Sequence, residues 1–370
     1  MNRNKCLGCG VKLQYEAEDL PGYIPSEKQG EAVLCQRCFQ LRHYGRIRGR
    51  VTGETALQAV RHALRESELL LVVVDLFDPE GSLPQEWATL FTRPAVLVVN
   101  KADLLPPRTP WTEMEAWFGA MWRARFPAAE LLAVKVLSTK KKGAAYTQNL
   151  AELKKLLQGK KVTVMGAANV GKTSLLTALL AGENGTDAGK LPTISKYPGT
   201  TQGIISWSLP SRALILMDTP GLVPGRRTGD LLSPVGAARL LPESKLQVKL
   251  WELPPQGAVL LGGLGGVWNC SPGARTLLFF AAEATMIHRT QGEKASQLLV
   301  EAPEWLRAFP PEEQPKKFDE GIFTVQPGED LYFSGLGWVA VKKEEARLRV
   351  LAPAGVEVGI RPSLIGKKPD

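Results

Sequence analysis

Between residues 54 and 217, short runs of apolar residues alternate with longer segments whose apolar residues recur at helical spacing. The short runs are rich in Val, Leu and Ile, which is typical of buried strands in a parallel sheet. The alternation predicts an α/β domain. The strand candidates are residues 69–75, 95–99, 131–137, 160–165, 204–209 and 213–217, and the helix candidates are residues 54–67, 111–126, 149–157 and 174–182.

After residue 225 the pattern changes to short apolar runs separated by Gly and Pro. This pattern favours a β-rich domain, and no enzyme motif is evident in it. Two segments, 233–241 and 294–306, have instead the composition of helices.

The stretch GAANVGKTS, Gly166 to Ser174, has the phosphate-loop pattern and lies between a predicted strand and a predicted helix. The backbone N–H groups of such a loop, together with the helix N-terminus, bind phosphate oxygens. Lys172 is expected to reach the β- and γ-phosphates, and the Thr173 hydroxyl is an expected ligand of Mg²⁺. The further nucleotide contacts predicted in this loop are Asn169, Val170, Gly171 and Ser174.

A second motif, Asn100-Lys101-Ala102-Asp103, follows a predicted strand and has the NKxD pattern of guanine-nucleotide-binding proteins. The Asp103 carboxylate can accept hydrogen bonds from the N1–H and N2–H₂ edge of guanine, where adenine presents an acceptor instead. Lys101 is expected to pack along the base and Asn100 to tie the loops together. Ser138-Thr139-Lys140 resembles the SAK element, which contacts guanine through a backbone N–H.

Two motifs after the phosphate loop are typical of a nucleotide switch. Thr200 and Thr201 lie in a Gly-rich polar segment, and Thr201 is the preferred Mg²⁺ ligand of the two. Asp218-Thr219-Pro220-Gly221 has the DxxG pattern, in which Asp218 holds Mg²⁺ and the N–H of Gly221 contacts the γ-phosphate. Together the motifs predict binding and hydrolysis of GTP, with Lys172, Asn169 and Thr201 as catalytic residues.

Four of the five cysteines form two CxxC pairs, Cys6 with Cys9 and Cys35 with Cys38. Four thiolates are the set that Zn²⁺ prefers in structural sites, whereas a redox CxxC is normally single. The following segment, 41–50, combines four arginines with Tyr44. It suits either RNA contact with base stacking or a solvated basic linker.

Asp75 and Asp78 lie at the end of a predicted strand, beside the turn-forming sequence DPEGS. Two carboxylates so placed indicate either a metal site or a turn that caps the next helix. The sequence leaves both alternatives open.

The net charge of +9 makes an anionic partner plausible. Basic residues of the C-terminal part fit RNA backbone contact, or else a solvated face; they are Lys342, Lys343, Arg347, Arg349, Arg361, Lys367 and Lys368. No apolar run approaches the roughly 18 residues of a membrane span, and the N-terminus is unlike a signal peptide. These features, with cysteines suited to a reducing compartment, predict a cytoplasmic protein.

The order of the motifs is unusual, because NKAD and STK precede the phosphate loop and DTPG. With the four cysteines, GAANVGKT and PGTT, the chain resembles the YqeH family of circularly permuted, ribosome-assembly GTPases. The resemblance rests on specific motifs for residues 1 to about 222 and on general layout beyond. It implies a zinc finger at 1–48, a permuted GTPase domain at 49–224 and a β-rich, RNA-binding domain at 225–370. The implied cofactors are GTP/GDP, Mg²⁺ and Zn²⁺. The implied partner is ribosomal RNA or a small-subunit precursor, with no DNA, no membrane and a monomeric state.

Leu222 occupies the position where Ras-like proteins place a water-orienting Gln. Its side chain can neither orient water nor accept a proton, so other groups must promote hydrolysis. Asn169 matches the asparagine that ligates K⁺ in potassium-activated GTPases, and K⁺ at this position would supply positive charge near the phosphates. The alternative functions are a GTPase that binds proteins without RNA contact and, disfavoured by NKAD with STK, a general ATPase or nucleotide kinase.

Overall fold

The computed structural model describes residues 13–16, 22–25, 35–36, 53–105, 109–140, 144–181, 204–307 and 309–365. The chain divides into two compact units. The first consists of Met1–Asp75, Ser82–Ala102 and Trp111–Val223, and the second of Leu76–Gly81, Asp103–Pro110 and Pro224–Asp370. None of the helices among the described residues has the length and apolar character needed to cross a membrane.

A six-stranded sheet forms the centre of the first unit, with the strand order β3-β2-β1-β4-β6-β5. All neighbouring strands are parallel except β5, which pairs antiparallel with β6. The six strands confirm those predicted from the apolar runs. They are β1 (Leu69–Asp75), β2 (Ala95–Asn100), β3 (Leu131–Val136), β4 (Lys161–Gly166), β5 (Ile205–Leu209) and β6 (Leu214–Asp218).

Helices connect these strands, as the predicted α/β class requires. Every residue of β1 and β2 is buried, whereas β3, at the edge of the sheet, is mostly half-buried. Continuous burial explains why the inner strands are apolar at every position and do not alternate. The helices up to β5 are α1 (Gly53–Glu66), the single turn α2 (Pro79–Ser82), α3 (Trp111–Arg125), α4 (Ala144–Leu157) and α5 (Lys172–Leu180).

Two five-stranded antiparallel sheets form most of the second unit, with the orders β16-β13-β14-β10-β7 and β11-β8-β9-β15-β12. This confirms the predicted β-rich C-terminal part. The strands are β7 (Leu246–Leu253), β8 (Gly257–Leu261), β9 (Gly265–Asn269), β10 (Arg275–Ala282), β11 (Ile287–Gln291), β12 (Phe318–Val325), β13 (Glu329–Phe333), β14 (Gly337–Val341), β15 (Ala346–Pro353) and β16 (Val358–Pro362).

One hydrophobic core joins the two sheets of the second unit. It contains alternate residues of each, for example Phe279 of β10 and Val339 of β14 with Val267 of β9. The two helices predicted in this part are also present, as α6 (Pro234–Arg239) and α7 (Gly292–Glu301). The second ends earlier than its composition indicates, because Ala302 adopts a left-handed conformation and Pro303 cannot continue a helix.

The segment Leu76–Gly81 belongs to the second unit, although the chain reaches it directly from β1. Its Glu80 forms an ion pair with Arg361 of β16, and both side chains are almost fully buried. Arg361 also lies 3.6 Å from the carboxylate of Asp330 on β13. Burial raises the pKa of Asp330, an effect that Arg361 opposes. A buried charge cluster therefore fixes this segment within the second unit.

Candidate nucleotide-binding site

The phosphate loop, residues 166–174, connects β4 to α5 in the first unit, as predicted. Its two framing glycines are required by close packing. A Cβ atom on Gly166 would overlap the carbonyl oxygen of Val73, and one on Gly171 would overlap the side-chain amide of Asn100. Gly171 also has a φ of 93°, which favours glycine. The close approach of Val73 and Asn100 to the loop thus requires glycine at both positions.

Lys172 points into the phosphate loop from the first turn of α5. Its ammonium group donates hydrogen bonds to the carbonyl oxygens of Gly166 at 3.0 Å and Ala167 at 3.3 Å. Thr173 and Ser174 follow in the same turn, both half-buried. The positive end of the helix and a lysine cation therefore face one loop, which is the arrangement that binds phosphate.

Asn169 lies at the tip of the loop, with its side chain exposed and a φ of 68°. Asn is among the few non-glycine residues that adopt this left-handed conformation at small cost. Val170, the next residue, is fully buried. The left-handed conformation of Asn169 therefore leaves its polar side chain exposed while the next side chain, Val170, is buried.

The DTPG motif lies next to the phosphate loop. Asp218, which is buried, ends β6 and pairs in register with Val164 of β4. Thr219 donates hydrogen bonds from its hydroxyl and its N–H to the carbonyl of Val164, at 2.9 and 3.2 Å. A Cβ atom on Gly221 would lie 3.2 Å from the ammonium of Lys172. The structure thus places Gly221 close to the loop lysine.

Leu222 is bound to the phosphate loop through its backbone. Its N–H donates to the carbonyl of Gly166 at 3.2 Å, and its own carbonyl accepts from the N–H of Ala168 at 2.7 Å. The two segments form an isolated parallel bridge, and the Leu222 side chain is buried. The residue that replaces the Ras-like Gln therefore has a structural role in holding the DTPG segment against the loop.

The NKAD motif contacts the phosphate loop through Asn100, the last residue of β2. Its side-chain amide donates a 2.9 Å hydrogen bond to the carbonyl of Val170, and its side-chain oxygen, although buried, has no hydrogen-bond partner among the described residues. Lys101 has a φ of 68°, and its ammonium forms an ion pair with Asp75. Asp103 is buried in the 3-10 turn Ala102–Leu104.

Leu137, the residue before the STK segment, is hydrogen-bonded through its backbone to the NKAD motif and to the strand that precedes it. The N–H of Ala102 donates to the carbonyl of Leu137 at 3.0 Å, and the N–H of Leu137 donates to Val99 at 2.8 Å. Ser138 is buried, and its hydroxyl accepts a hydrogen bond from the N–H of Lys140. The two predicted guanine-recognition segments are therefore adjacent.

Some predicted site residues lie outside the described residues, namely Cys6, Cys9, Cys38, Thr200, Thr201, Lys367, Lys368 and the basic segment 41–50. Cys35 is described and buried. Within the described ranges, no group of three or more His, Cys, Asp or Glu side chains is arranged to hold a metal ion. Thr173 and Asp218 nevertheless provide the oxygen donors that Mg²⁺ prefers, and the elements that carry them, α5 and β6, both adjoin β4.

Asp75 and Asp78, for which the sequence indicated either a metal site or a capping turn, have different partners in the structure. The Asp78 carboxylate accepts a 3.3 Å hydrogen bond from the N–H of Gly81, which confirms the capping turn. Asp75 instead pairs with Lys101, a partner that the sequence interpretation missed. The available signal was its position at the carboxyl end of β1, since parallel strands β1 and β2 end at the same edge.

The chain is similar to known proteins over almost its whole length. A family model described as "50S ribosome-binding GTPase" matches residues 161–242, and one described as "YqeH-like, C-terminal" matches residues 274–364. The chain is 30% identical to "Uncharacterized protein YqeH" of Bacillus subtilis, with 99% of this chain and 100% of that protein covered. It is 24% identical to "NO-associated protein 1, chloroplastic/mitochondrial" of Arabidopsis thaliana, over 97% of this chain and 76% of that protein.

A human relative, "Nitric oxide-associated protein 1", is 29% identical over 55% of this chain and 36% of its own length. The full-length similarity to YqeH shows that the chain belongs to the YqeH family and is a GTPase.

Proposed function

We propose that this GTPase is a circularly permuted guanine-nucleotide switch that acts in assembly of the small (30S) ribosomal subunit by binding ribosomal RNA or a pre-ribosome. The observation that carries the circularly permuted nucleotide switch is the hydrogen bond from Asn100 to Val170. It joins the NKAD strand to the phosphate loop although NKAD comes first in the chain. The strand order supports the same interpretation, because β1 to β3 lie on the far side of β4 from β5 and β6.

In the proposed site, guanine is bound by the NKAD and STK segments and the phosphates by the loop. Asp103 selects guanine over adenine, and the backbone of Ser138, Thr139 and Lys140 closes the base site. Asn169, Val170, Gly171, Lys172, Thr173 and Ser174 surround the phosphates. Gly221 contacts the γ-phosphate through its N–H.

Thr173, Asp218 and Thr201 are the proposed ligands of Mg²⁺. When bound, the ion neutralises charge on the phosphate oxygens. Lys172 adds a second positive charge, held in place by the carbonyls of Gly166 and Ala167. Phosphoryl transfer depends largely on such positioning and electrostatic stabilisation.

Hydrolysis without a Gln after DTPG requires another source of positive charge. Asn169 provides an exposed side-chain oxygen at the tip of the phosphate loop, where it fits a K⁺ ligand. We assign K⁺ activation to this residue. The proposed intrinsic hydrolysis is slow and is accelerated by K⁺ and further by the ribosomal partner.

The remaining assignments complete the switch. Residues 1–48 are proposed as a zinc finger with Cys6, Cys9, Cys35 and Cys38 as ligands, 49–224 as the GTPase domain and 225–370 as the RNA-binding domain. The net charge of +9 and the exposed Lys342, Lys343 and Arg347 support contact with an RNA backbone. We propose a cytoplasmic location, because a reducing compartment keeps cysteines as thiolates that can bind zinc and prevents disulfide formation.

Co-sedimentation with purified 30S subunits tests this function. The chain is incubated with the subunits in GDP or in a non-hydrolysable GTP analogue, at several salt concentrations. We expect binding that depends on the nucleotide and weakens steeply as salt rises, because RNA contact releases counterions. Equal binding in both nucleotides, or no binding at low salt, contradicts the proposal.

One observation favours the alternative, a GTPase that binds a protein without RNA contact. On the edge strand β7, Val248 and Leu250 are 49% and 60% exposed, and exposed edge strands with apolar residues suit pairing with another chain. For this alternative we expect binding to ribosomal proteins that persists at high salt and after nuclease treatment. Variants Val248→Lys and Leu250→Lys would then abolish it.

A further inference from the structure

Asp75 and Lys101 form an ion pair at the carboxyl edge of the parallel sheet in the first unit. Asp75 is the last residue of β1 and lies in register with Asn100, the last residue of β2. The carboxylate of Asp75 contacts the ammonium of Lys101, and their side chains are only 6% and 16% exposed. The pair therefore adjoins the residue that contacts the phosphate loop.

The backbone around Lys101 is held in an unusual conformation. A φ of 68° is uncommon for lysine and persists only where the surroundings fix it. The residues on either side are both anchored, Asn100 to Val170 and Ala102 to Leu137. The direction of the Lys101 side chain is consequently decided by its own partner, Asp75.

Asp75 is itself rigidly placed. It belongs to a fully buried strand, and its N–H donates a 3.0 Å hydrogen bond to the hydroxyl of Ser82, which is also buried. A carboxylate on such a support holds a flexible lysine in one orientation at little further entropic cost.

A purely stabilising role accounts poorly for this pair. Removing two charges from water costs about as much as their attraction returns, so buried pairs are weak sources of stability. A metal site is also disfavoured, because the lysine cation beside Asp75 repels a second cation. The remaining role of the ion pair is to orient the Lys101 side chain.

We propose that Asp75 is a positioning residue for guanine binding. By fixing the ammonium of Lys101, it holds the aliphatic part of that side chain where the base packs. The inference rests on the guanine site proposed above. Asp75 touches neither the base nor the phosphates in this proposal, so its effect passes entirely through Lys101.

A double-mutant cycle tests the inference with Asp75→Asn, Lys101→Met and the double variant in the full-length protein. Binding of fluorescent GDP and steady-state GTP hydrolysis are measured. We expect each single variant to weaken GDP binding by about tenfold and to raise KM with little change in kcat, since preorganised ground-state contacts are lost. The double variant should bind GDP no more weakly than Lys101→Met alone.

The matched control is Glu152→Gln, which removes the carboxylate from the Lys135–Glu152 ion pair of the same unit, outside the proposed site. It should leave GDP binding unchanged. The inference is overturned if the loss of GDP-binding free energy in the double variant equals the sum of the losses in the two single variants. It is also overturned if Asp75→Asn binds GDP as tightly as the wild-type protein.

Should Asp75→Asn not fold because Lys101 is left buried and unpaired, two variants still decide the matter. Lys101→Met keeps the Asp75 carboxylate and the double variant contains neither charge of the pair, so the two variants should have equal GDP affinity if Asp75 acts only through Lys101. A weaker double variant overturns the inference. Failure of the guanine site itself is recognised separately, because the wild-type protein would then bind ATP as tightly as GTP.

Discussion

The side-chain amide of Asn100 donates a hydrogen bond to the carbonyl of Val170, a residue 70 positions later in the chain. This contact joins the end of β2 to the phosphate loop. It also explains the glycine at position 171, where any side chain would overlap the same amide group. The proposed guanine-recognition motif and the phosphate loop thus share one contact.

Replacing Asn100 by Ala removes this contact and leaves the Val170 carbonyl without its side-chain donor. We expect a loss of about 1–3 kcal/mol in the free energy of unfolding and a weakening of GDP binding by at least tenfold. Urea denaturation and fluorescent GDP titration measure the two effects.

Asn149→Ala is the matched control for that variant. The Asn149 side chain donates a hydrogen bond of the same length, 2.9 Å, to the carbonyl of Val136 in the same unit. A similar loss of stability without a change in GDP affinity is expected. Equal weakening of GDP binding by both variants would show that the Asn100 effect is only structural.

Gly171→Ala should abolish nucleotide binding. The substitution combines a left-handed backbone conformation with an overlap between the new methyl group and the Asn100 amide, so the phosphate loop must move. Gly159→Ala separates the two causes, because Gly159 has a φ of 74° but no atom within 4 Å of the position of a Cβ.

Gly159→Ala should therefore lower stability by about 1 kcal/mol and leave GDP binding intact. Calorimetry and GDP titration of both variants check this. Retention of nucleotide binding by Gly171→Ala would contradict the role of this glycine in the loop.

Potassium should accelerate GTP hydrolysis relative to sodium at the same ionic strength. Because Asn169 is the proposed K⁺ ligand, Asn169→Ala should remove the difference between the two salts while the rate in sodium changes little. Phosphate release in KCl and in NaCl measures both rates. Equal rates for the wild-type protein in the two salts would exclude K⁺ activation.

The buried carboxyl of Asp330 should make stability depend on pH. Burial raises its folded-state pKa above the unfolded value, although Arg361 and hydrogen bonds from Leu364 and Ser363 oppose the shift. The folded state consequently binds this proton more tightly, and the resulting stabilisation is lost as pH rises through the folded-state pKa.

Asp330→Asn lacks this titration, so its free energy of unfolding relative to wild type should increase as pH rises above about 4, the ordinary pKa of Asp. Urea unfolding followed by tryptophan fluorescence at several pH values measures the difference. A difference that is constant over this range would show that the Asp330 pKa is not raised.

Several features of the first unit follow from local sequence. Strand, phosphate loop and helix are contiguous in the chain, and the conformation of Gly171 is required by the loop itself. The predicted inner strands β1 and β2 were recognisable because residues buried on both faces are apolar almost without interruption. The C-terminal β-rich pattern was also readable, but not which strands pair into which sheet.

The sequence by itself determined the α/β class, the phosphate loop and the position of the NKAD motif at a strand end, because these depend on residues close together in the chain. Only the tertiary structure decided that Lys101 pairs with Asp75, that Leu222 bridges to Ala168, and that Glu80 is neutralised by Arg361. Each of these contacts joins residues far apart in sequence. The order of the strands and the packing within each unit bring these residues together. Neither the strand order nor the packing produces a pattern of apolar and polar residues that can be recognised in the sequence.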